Sequence, residues 1–101
     1  MAMHATAHYL LEGLKEVGID YLVCNLGTDH APIVEEMARW RRHGLVPPEV
    51  VLCPHEVVAV HMSGGYAMAT GRGQAVLAHV DAGTANSTMG MHNLFRTRVP
   101  V

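Results

Sequence analysis

Polar residues that could carry chemistry stand at the ends of three apolar runs in this sequence, near residues 26, 53 and 79. Runs of this length and composition are typical of strands that are buried on both faces. Ligands of open parallel sheets bind beyond the carboxyl ends of the strands. This placement nominates Thr28, Glu56, His79, Asp81 and the glycines of the adjoining loops as candidate site residues.

Glu56 is the most unusual of these candidates, because four apolar residues follow it directly. It is expected in the first turn of a helix, where negative charge is favoured by the helix dipole. Position alone therefore favours an ordinary helix-terminal carboxylate. A functional carboxylate is the alternative, since desolvation would raise its pKa while the dipole would lower it. Such a group could share a proton with a nitrogen base.

Two other kinds of site are weakly supported. Residues 82–86 predict a glycine turn that opens a helix and exposes backbone N–H groups. The glycine and Lys-Ser/Thr spacing of a phosphate-binding loop is missing, so a plain strand-to-helix turn explains this segment better. The chain has eight histidines, and His55-Glu56 resembles the start of a zinc-protease helix. The next histidine is His61, at the wrong spacing, so we expect no metal ligands in this chain.

The elements that must position these residues alternate along the chain. Apolar periodicity and glycine or proline breaks predict helices over residues 3–17, 32–44, 55–70 and 82–95, and strands over 19–26, 50–53 and 74–80. This order predicts an α/β fold of three layers, α/β/α, around a parallel sheet. Residues 99–101 indicate the start of a fourth strand, so the domain is expected to be incomplete at its C-terminus.

The third predicted helix contains Ser63-Gly64-Gly65, which is costly for a helix at roughly 1 kcal/mol for each glycine. Mid-helix glycines indicate that another backbone comes close. We expect a helix-on-helix contact there, either within the subunit or across a dimer.

Composition limits the class of protein. Half of the 101 residues are hydrophobic, 16% are charged and the net charge is −2. A globular domain is therefore predicted, with little electrostatic support for a nucleic-acid partner. The sequence predicts no signal peptide and no membrane span. Cys24 and Cys53 are predicted to be free buried thiols, so we expect a cytoplasmic protein.

Several motifs, in order and spacing, resemble those of thiamine diphosphate-dependent decarboxylases and acetolactate synthases. The central match consists of Cys53-Pro54-His55-Glu56, Ala59, Met62, Gly65-Tyr66-Ala67 and Thr70-Gly71. Around it lie the matching segments Asn25-Leu26-Gly27, Gly83-Thr84-Ala85-Asn86, Gly90 and Arg98-Val99-Pro100-Val101. The resemblance covers nearly the whole chain and implies the fold of a pyrimidine-binding domain.

The resemblance also implies roles for single residues. Glu56 matches the glutamate that hydrogen-bonds N1′ of the cofactor's aminopyrimidine and favours its imino tautomer. The segment containing Gly83 and Asn86 matches a cofactor-binding segment. His79 and Thr28 match an active-site histidine and a substrate-binding serine of benzoylformate decarboxylase, with Gly27 adjoining Thr28 in the same loop. His79 is then expected to relay protons. Leu26 and Asp81 depart from the family pattern, so the 2-keto acid is not indicated.

The resemblance finally implies partners. Residues 1–101 correspond to part of the N-terminal pyrimidine-binding domain, while the central and diphosphate-binding domains, with their Mg2+ site, have no counterpart in this sequence. The chain alone is expected to be inactive, and to work in a homodimer or homotetramer or with a separate diphosphate-domain chain. A non-catalytic assembly or regulatory domain is the alternative. A Rossmann oxidoreductase is disfavoured because no Gly-x-Gly-x-x-Gly follows the first strand.

Overall fold

The computed structural model describes residues 4–101, and helices and strands alternate along them. Their order is α1 Thr6–Glu16, β1 Tyr21–Cys24, a 3-10 turn Thr28–His30, α2 Ala31–Arg42, β2 Glu49–Leu52, α3 Glu56–Thr70, β3 Ala75–Leu77 and α4 Val80–Thr97. The predicted α/β alternation is confirmed. Residue 3, where the first helix was predicted to begin, lies outside the described residues. No helix within residues 4–101 is both long enough and apolar enough to cross a bilayer.

The sheet has three parallel strands in the order β2-β1-β3. Val23 in the central strand lies opposite Val51 of β2 and Val76 of β3. All three strands therefore end at the same edge of the sheet. The segments that follow them, including those with Thr28, Glu56 and His79, are brought to that edge.

Neighbouring residues of β2 show how the two faces of the sheet are covered. Val50 packs with Leu11, Met37 and Trp40, which belong to α1 and α2. Val51 packs with Val23 and Ala59, on the side covered by α3. Successive residues of a strand point to opposite faces, so helices cover both faces and the predicted α/β/α layering is confirmed.

The mid-helix glycines mark the contact between α3 and α4. A Cβ built on Gly64 would lie 2.6 Å from a methyl carbon of Leu94, and one on Gly90 would lie 2.9 Å from Val60. Both distances are shorter than real carbon contacts, so the two helices pack closely because glycine has no side chain. The predicted helix-on-helix contact is confirmed for Gly64, within one chain. Gly65 has open space at its Cβ position.

Three predictions about the C-terminal part of the chain are wrong. The third strand ends at Leu77 rather than near residue 80, and α4 begins at Val80 rather than near residue 82. The chain turns at Val80, which has a positive φ of 42°. Residues 99–101 form no strand within the described chain. Pro100 has no backbone N–H to donate to a neighbouring strand.

Candidate functional site

Glu56 is the first residue of α3, directly beyond the end of β2. The residue before it, His55, caps the helix: its Nδ1 accepts the backbone N–H of Val57 at 3.3 Å. Serine, threonine, aspartate or asparagine is the usual capping residue at this position, and here a histidine takes that role. The cap fixes the direction in which the helix starts. The Glu56 side chain is thereby carried to the sheet edge, where the residue is only 4% exposed.

Two amide side chains from different elements hold the Glu56 carboxylate. Asn25, which follows β1, donates from Nδ2 to Oε1 at 3.2 Å. Asn86, in α4, donates from Nδ2 to Oε2 at 3.0 Å. A buried carboxylate is costly unless it is hydrogen-bonded. These two bonds therefore connect α3, β1 and α4 at one point.

The pKa of Glu56 is lowered from its usual range by these surroundings. The hydrogen bond from Asn86 is the largest cause, and the backbone N–H of Glu56 itself is the next. Burial opposes them by disfavouring the charge, while Asn25 and the nearby His55 add smaller lowering effects. The sequence left the direction of this shift open. In the structure the donors outweigh desolvation, so Glu56 is an anion at neutral pH.

Gly83 lies directly against this carboxylate. A Cβ at Gly83 would come 3.1 Å from Glu56 Oε1 and 3.4 Å from Ala78, so only glycine leaves this space open. Its backbone N–H donates to the carbonyl of His79 at 3.0 Å. The predicted glycine turn with free N–H groups is therefore wrong, because Gly83 lies within the first turn of α4. That turn connects His79 to the Glu56 site.

The His79 ring lies on the backbone of Gly27. A Cβ at Gly27 would overlap the ring at Nδ1, Cγ and Cε1, so glycine is required for this contact. Asp29 Oδ1 approaches His79 Nδ1 to 2.6 Å. The oxygen stands out of line with the ring N–H direction, and Nδ1 has no aligned hydrogen-bond partner among residues 4–101. Gly27, Asp29 and His79 thus form one corner of the sheet edge.

Thr28 is exposed at the start of the 3-10 turn. Its backbone lies between Gly27 and Asp29, and so beside the His79 corner. Within the described chain, no hydrogen bond links its side chain to Glu56 or His79. The structure brings Thr28 to the predicted edge without giving it a contact there.

Asp29, His30 and His79 place one ligand-type atom each within 4.8 Å of one another, a grouping that could hold a metal ion. The hydrogen bonding of His30 argues against it. His30 Nδ1 accepts the backbone N–H of Gly27 at 3.1 Å, so a neutral ring carries its proton on Nε2. Nε2 is the nitrogen nearer Asp29. It then offers no lone pair to a metal.

Two contributors to the site were missed from the sequence. Asn25 was noted only as part of a motif, and Asp29 was not among the candidate site residues. Both follow β1, the central strand, and a polar residue after a central strand faces both neighbouring loops. That position was the available signal. The residues that Asn25 and Asp29 contact depend on the strand order, which the sequence does not reveal.

Comparison with known proteins agrees with this geometry. Residues 4–101 match the family described as "Thiamine pyrophosphate enzyme, N-terminal TPP binding domain". The chain belongs to this family. The predicted family resemblance is confirmed, and thiamine pyrophosphate, also called thiamine diphosphate, is the cofactor that the family's description names.

Two relatives of this thiamine pyrophosphate family member match along nearly its whole length. It is 34% identical over 96 residues, 94% of the chain, to a Mycobacterium tuberculosis protein named "Putative acetolactate synthase large subunit IlvX". It is 30% identical over 95 residues, also 94% of the chain, to "Acetolactate synthase large subunit" of Haemophilus influenzae. The matched regions span only 18% and 16% of these two relatives.

Proposed function

We propose that this chain is part of the pyrimidine-binding domain of a thiamine diphosphate-dependent, acetolactate synthase-like enzyme. The complete enzyme would decarboxylate a 2-keto acid or join it to a second carbonyl compound. The observation that carries this proposal is the Glu56 carboxylate, which is buried and held as an anion by two neutral amides. This arrangement occurs in a chain of a thiamine pyrophosphate-binding family.

The residues around Glu56 fit an aminopyrimidine. The two amides and the backbone N–H of Glu56 occupy three of the roughly four acceptor positions of the carboxylate, so one position remains for a ligand. Gly83 leaves open the space beside Oε1 that a methyl group would fill. Glu56, Gly83 and Asn86 would therefore hold the pyrimidine end of the cofactor. Thiamine diphosphate, when bound, supplies the carbon nucleophile and the electron sink for 2-keto acid chemistry.

Glu56 would act on the proton at N1′ of the pyrimidine. Its lowered pKa means that it meets the ring as a carboxylate. A carboxylate accepts a hydrogen bond from a protonated N1′, and charge-assisted bonds of this kind are stronger than neutral ones. Asn25 and Asn86 keep the carboxylate aimed without neutralising it. The negative charge is therefore still available to the ring.

The corner at His79 would serve the substrate. The His79 side chain is 35% exposed beside Gly27, so its open edge can reach a bound molecule. We assign it proton relay to and from the substrate. Thr28 and Gly27 would line the place of the substrate carboxylate, since Thr28 is exposed at the same edge. Gly83, which lies against Glu56, is one helical turn after His79 and so connects the two residues.

The rest of the catalytic unit would be supplied from outside residues 1–101. We assign the diphosphate and its Mg2+ to a further domain. That domain could be carried by the same polypeptide in a homodimer or homotetramer, or by a separate chain. The small fraction of each relative that this chain spans supports this division.

Glu56→Gln in the full-length protein tests the proposal. The amide keeps the shape of the site but cannot take up the N1′ proton, and a positioned acid–base group contributes roughly 10²–10⁴-fold in rate. We expect turnover of 2-keto acids to fall at least about 100-fold, while thiamine diphosphate still binds in a fluorescence titration.

Glu35→Gln is the matched control, because Glu35 is exposed on α2, away from the site. It should leave turnover unchanged. If Glu56→Gln also turned over 2-keto acids at the normal rate, the role of Glu56 would be refuted. A non-catalytic assembly or regulatory domain would then be the better explanation of the chain.

A further inference from the structure

The contact between Asp29 and His79 determines which ring nitrogen can carry a proton. Asp29 Oδ1 lies 2.6 Å from His79 Nδ1. A carboxylate oxygen and an unprotonated ring nitrogen repel each other at this distance, because both present lone pairs. The contact becomes favourable when a hydrogen on one of the two atoms points at the other. Since carboxylates only accept when ionised, that hydrogen belongs to His79 Nδ1.

Asp29 has more freedom than His79 to align this contact. Nδ1 is buried and lacks an aligned hydrogen-bond partner among the described residues. Buried polar atoms in folded proteins nearly always have such a partner. The Asp29 side chain is 50% exposed and so has room to turn its oxygen into line. His79 has less freedom, because its ring lies flat against Gly27. Asp29 is the group that adjusts.

Burial divides the His79 ring into two edges. Nδ1 is shielded from solvent, yet the side chain as a whole is 35% exposed. The exposed surface therefore belongs to side-chain atoms other than Nδ1, and Nε2 lies on the ring edge away from it. In a neutral ring with its proton on Nδ1, Nε2 carries the lone pair.

We propose that Asp29 is a positioning residue for His79. It fixes the proton on Nδ1 and thereby presents Nε2, as a proton acceptor, to the open side of the sheet edge. This proposal rests on the proposed function only in assigning His79 a substrate to act on. The proposal gives a reason for the charge of Asp29, the residue that faces the ring: a carboxylate accepts a hydrogen bond from Nδ1–H.

His30 supports this arrangement from the other side of Asp29. Its Nδ1 accepts the Gly27 backbone N–H, and its Nε2 lies 3.7 Å from Asp29 Oδ1. The carboxylate thus lies between two imidazole rings. With its proton on Nδ1, His79 would present an N–H group and not a lone pair to Asp29, as the Nε2–H of His30 does.

The tautomer of His79 is measurable by nitrogen NMR in the full-length protein labelled with [15N]histidine. The spectrum is taken at a pH where the ring is neutral, and His79→Gln identifies the signals. We expect the Nδ1–H tautomer in the unmodified protein. An Nε2–H tautomer there would overturn the proposal without any Asp29 variant being needed.

Asp29→Ala should shift His79 towards the Nε2–H tautomer that the free histidine side chain prefers in water, and Asp29→Glu should restore much of the Nδ1–H form. Asp20→Ala is the matched control, since Asp20 pairs with Arg72 and Lys15 before β1, at the opposite end of the sheet. An unchanged tautomer in Asp29→Ala would overturn the proposal. A zinc titration that moved the His30 and His79 signals together would do the same, because a metal would need the lone pairs.

Kinetics separate this proposal from the proposed function. Asp29→Ala should lower kcat for 2-keto acids about 10- to 100-fold with little change in KM, a part of the roughly 10²–10⁴-fold that an acid–base group supplies. A shifted tautomer with normal kcat would uphold Asp29 as the positioning residue and remove the assigned role of His79 in turnover. Reduced kcat with an unshifted tautomer would overturn the positioning role alone.

Discussion

Glu36 and Glu56 are both buried carboxylates, 6% and 4% exposed, but the groups that hold them differ in charge. Arg39 grips Glu36 with two hydrogen bonds, from Nη2 at 2.8 Å and from Nε at 2.9 Å. His8 Nδ1 also contacts Glu36 Oε1 at 2.8 Å. Glu56 is held by the amides of Asn25 and Asn86 instead.

The two carboxylates differ in whether the charge of the partner cancels their own. The Glu36 charge is cancelled by a guanidinium in the bidentate geometry that suits it, and the contact of Glu36 with His8 joins α1 to α2. The Glu56 hydrogen bonds are satisfied while its charge is not cancelled. A buried anion with neutral donors can still attract a cationic or proton-bearing ligand. Burial and a lowered pKa, which both residues share, do not distinguish them.

Glu36→Gln should produce the largest loss of stability in this comparison. It leaves the Arg39 guanidinium, whose side chain is 40% exposed, without an anion and removes the charge from the contact with buried His8, so the charge-assisted hydrogen bonds of this cluster are weakened. We expect the melting temperature to fall by at least about 5 °C, the scale on which domains of this size respond to losing one buried interaction. Differential scanning calorimetry measures it.

Glu56→Gln supplies the other half of that comparison. The glutamine Oε1 can still accept an amide N–H, and no cation loses its partner, so the melting temperature should change less than in Glu36→Gln. Glu35→Gln, on the exposed side of the same helix as Glu36, should leave it unchanged. An equal fall in melting temperature for Glu36→Gln and Glu56→Gln would show that the charge of the partner does not determine how much each carboxylate stabilises the fold.

Acid should remove the contribution of Glu36 to the free energy of unfolding over a defined pH range. The hydrogen bonds from Arg39, and then those from His8, outweigh burial and lower the pKa of Glu36 from 4.5 to about 2. A carboxyl group whose pKa is lower in the folded state than in the unfolded state stabilises the fold at pH values above its unfolded-state pKa. This stabilisation is lost as the pH falls through the folded-state pKa. The gap in stability between the unmodified protein and Glu36→Gln should therefore be full at pH 7 and shrink between about pH 4.5 and 2. Urea unfolding across this range measures it, and a gap that stayed constant would contradict the assignment.

Local sequence signals predicted most of the elements but not where the last of them begins. Apolar runs and glycines located β1, β2 and α3 to within about two residues, because those signals act over neighbouring residues. The start of α4 was missed because Val80 adopts a positive φ, which a β-branched residue rarely does. Nothing in the local sequence predicts the turn at Val80. It follows from packing of the first turn of α4 against Glu56.

The site was predictable as a set of positions and not as a set of contacts. Glu56, His79 and Gly83 were identified from strand ends and motifs, and the structure brings them to one edge. The direction of the Glu56 pKa shift was not predictable, since it depends on Asn25 and Asn86, which lie 31 and 30 residues away in sequence. The role of Asp29 was hidden for the same reason. The partner of Asp29 is His79, which follows β3, the strand on the other side of β1 from β2.

The smallest expected effect concerns the two amides that hold Glu56. Asn86→Ala should raise the pKa of Glu56 more than Asn25→Ala does, because the Asn86 hydrogen bond is the largest lowering cause and is the shorter of the two, 3.0 Å against 3.2 Å. A carbon NMR titration of the Glu56 carboxyl group, labelled with [13C]glutamate, measures both shifts. The sign is fixed, since removing a donor to the carboxylate always favours its protonated form.

Asn93→Ala is the matched control for this titration, because Asn93 is an amide of the same helix whose Nδ2 contacts His61 instead. It should leave the Glu56 titration in place. A larger shift from Asn25→Ala would mean that the loop after β1, and not α4, holds the carboxylate. Residues after β1 would then control both Glu56 and His79, and the first turn of α4 would only fill space between them. The expected order instead makes α4 the element that keeps Glu56 charged, while the loop after β1 sets the proton on His79.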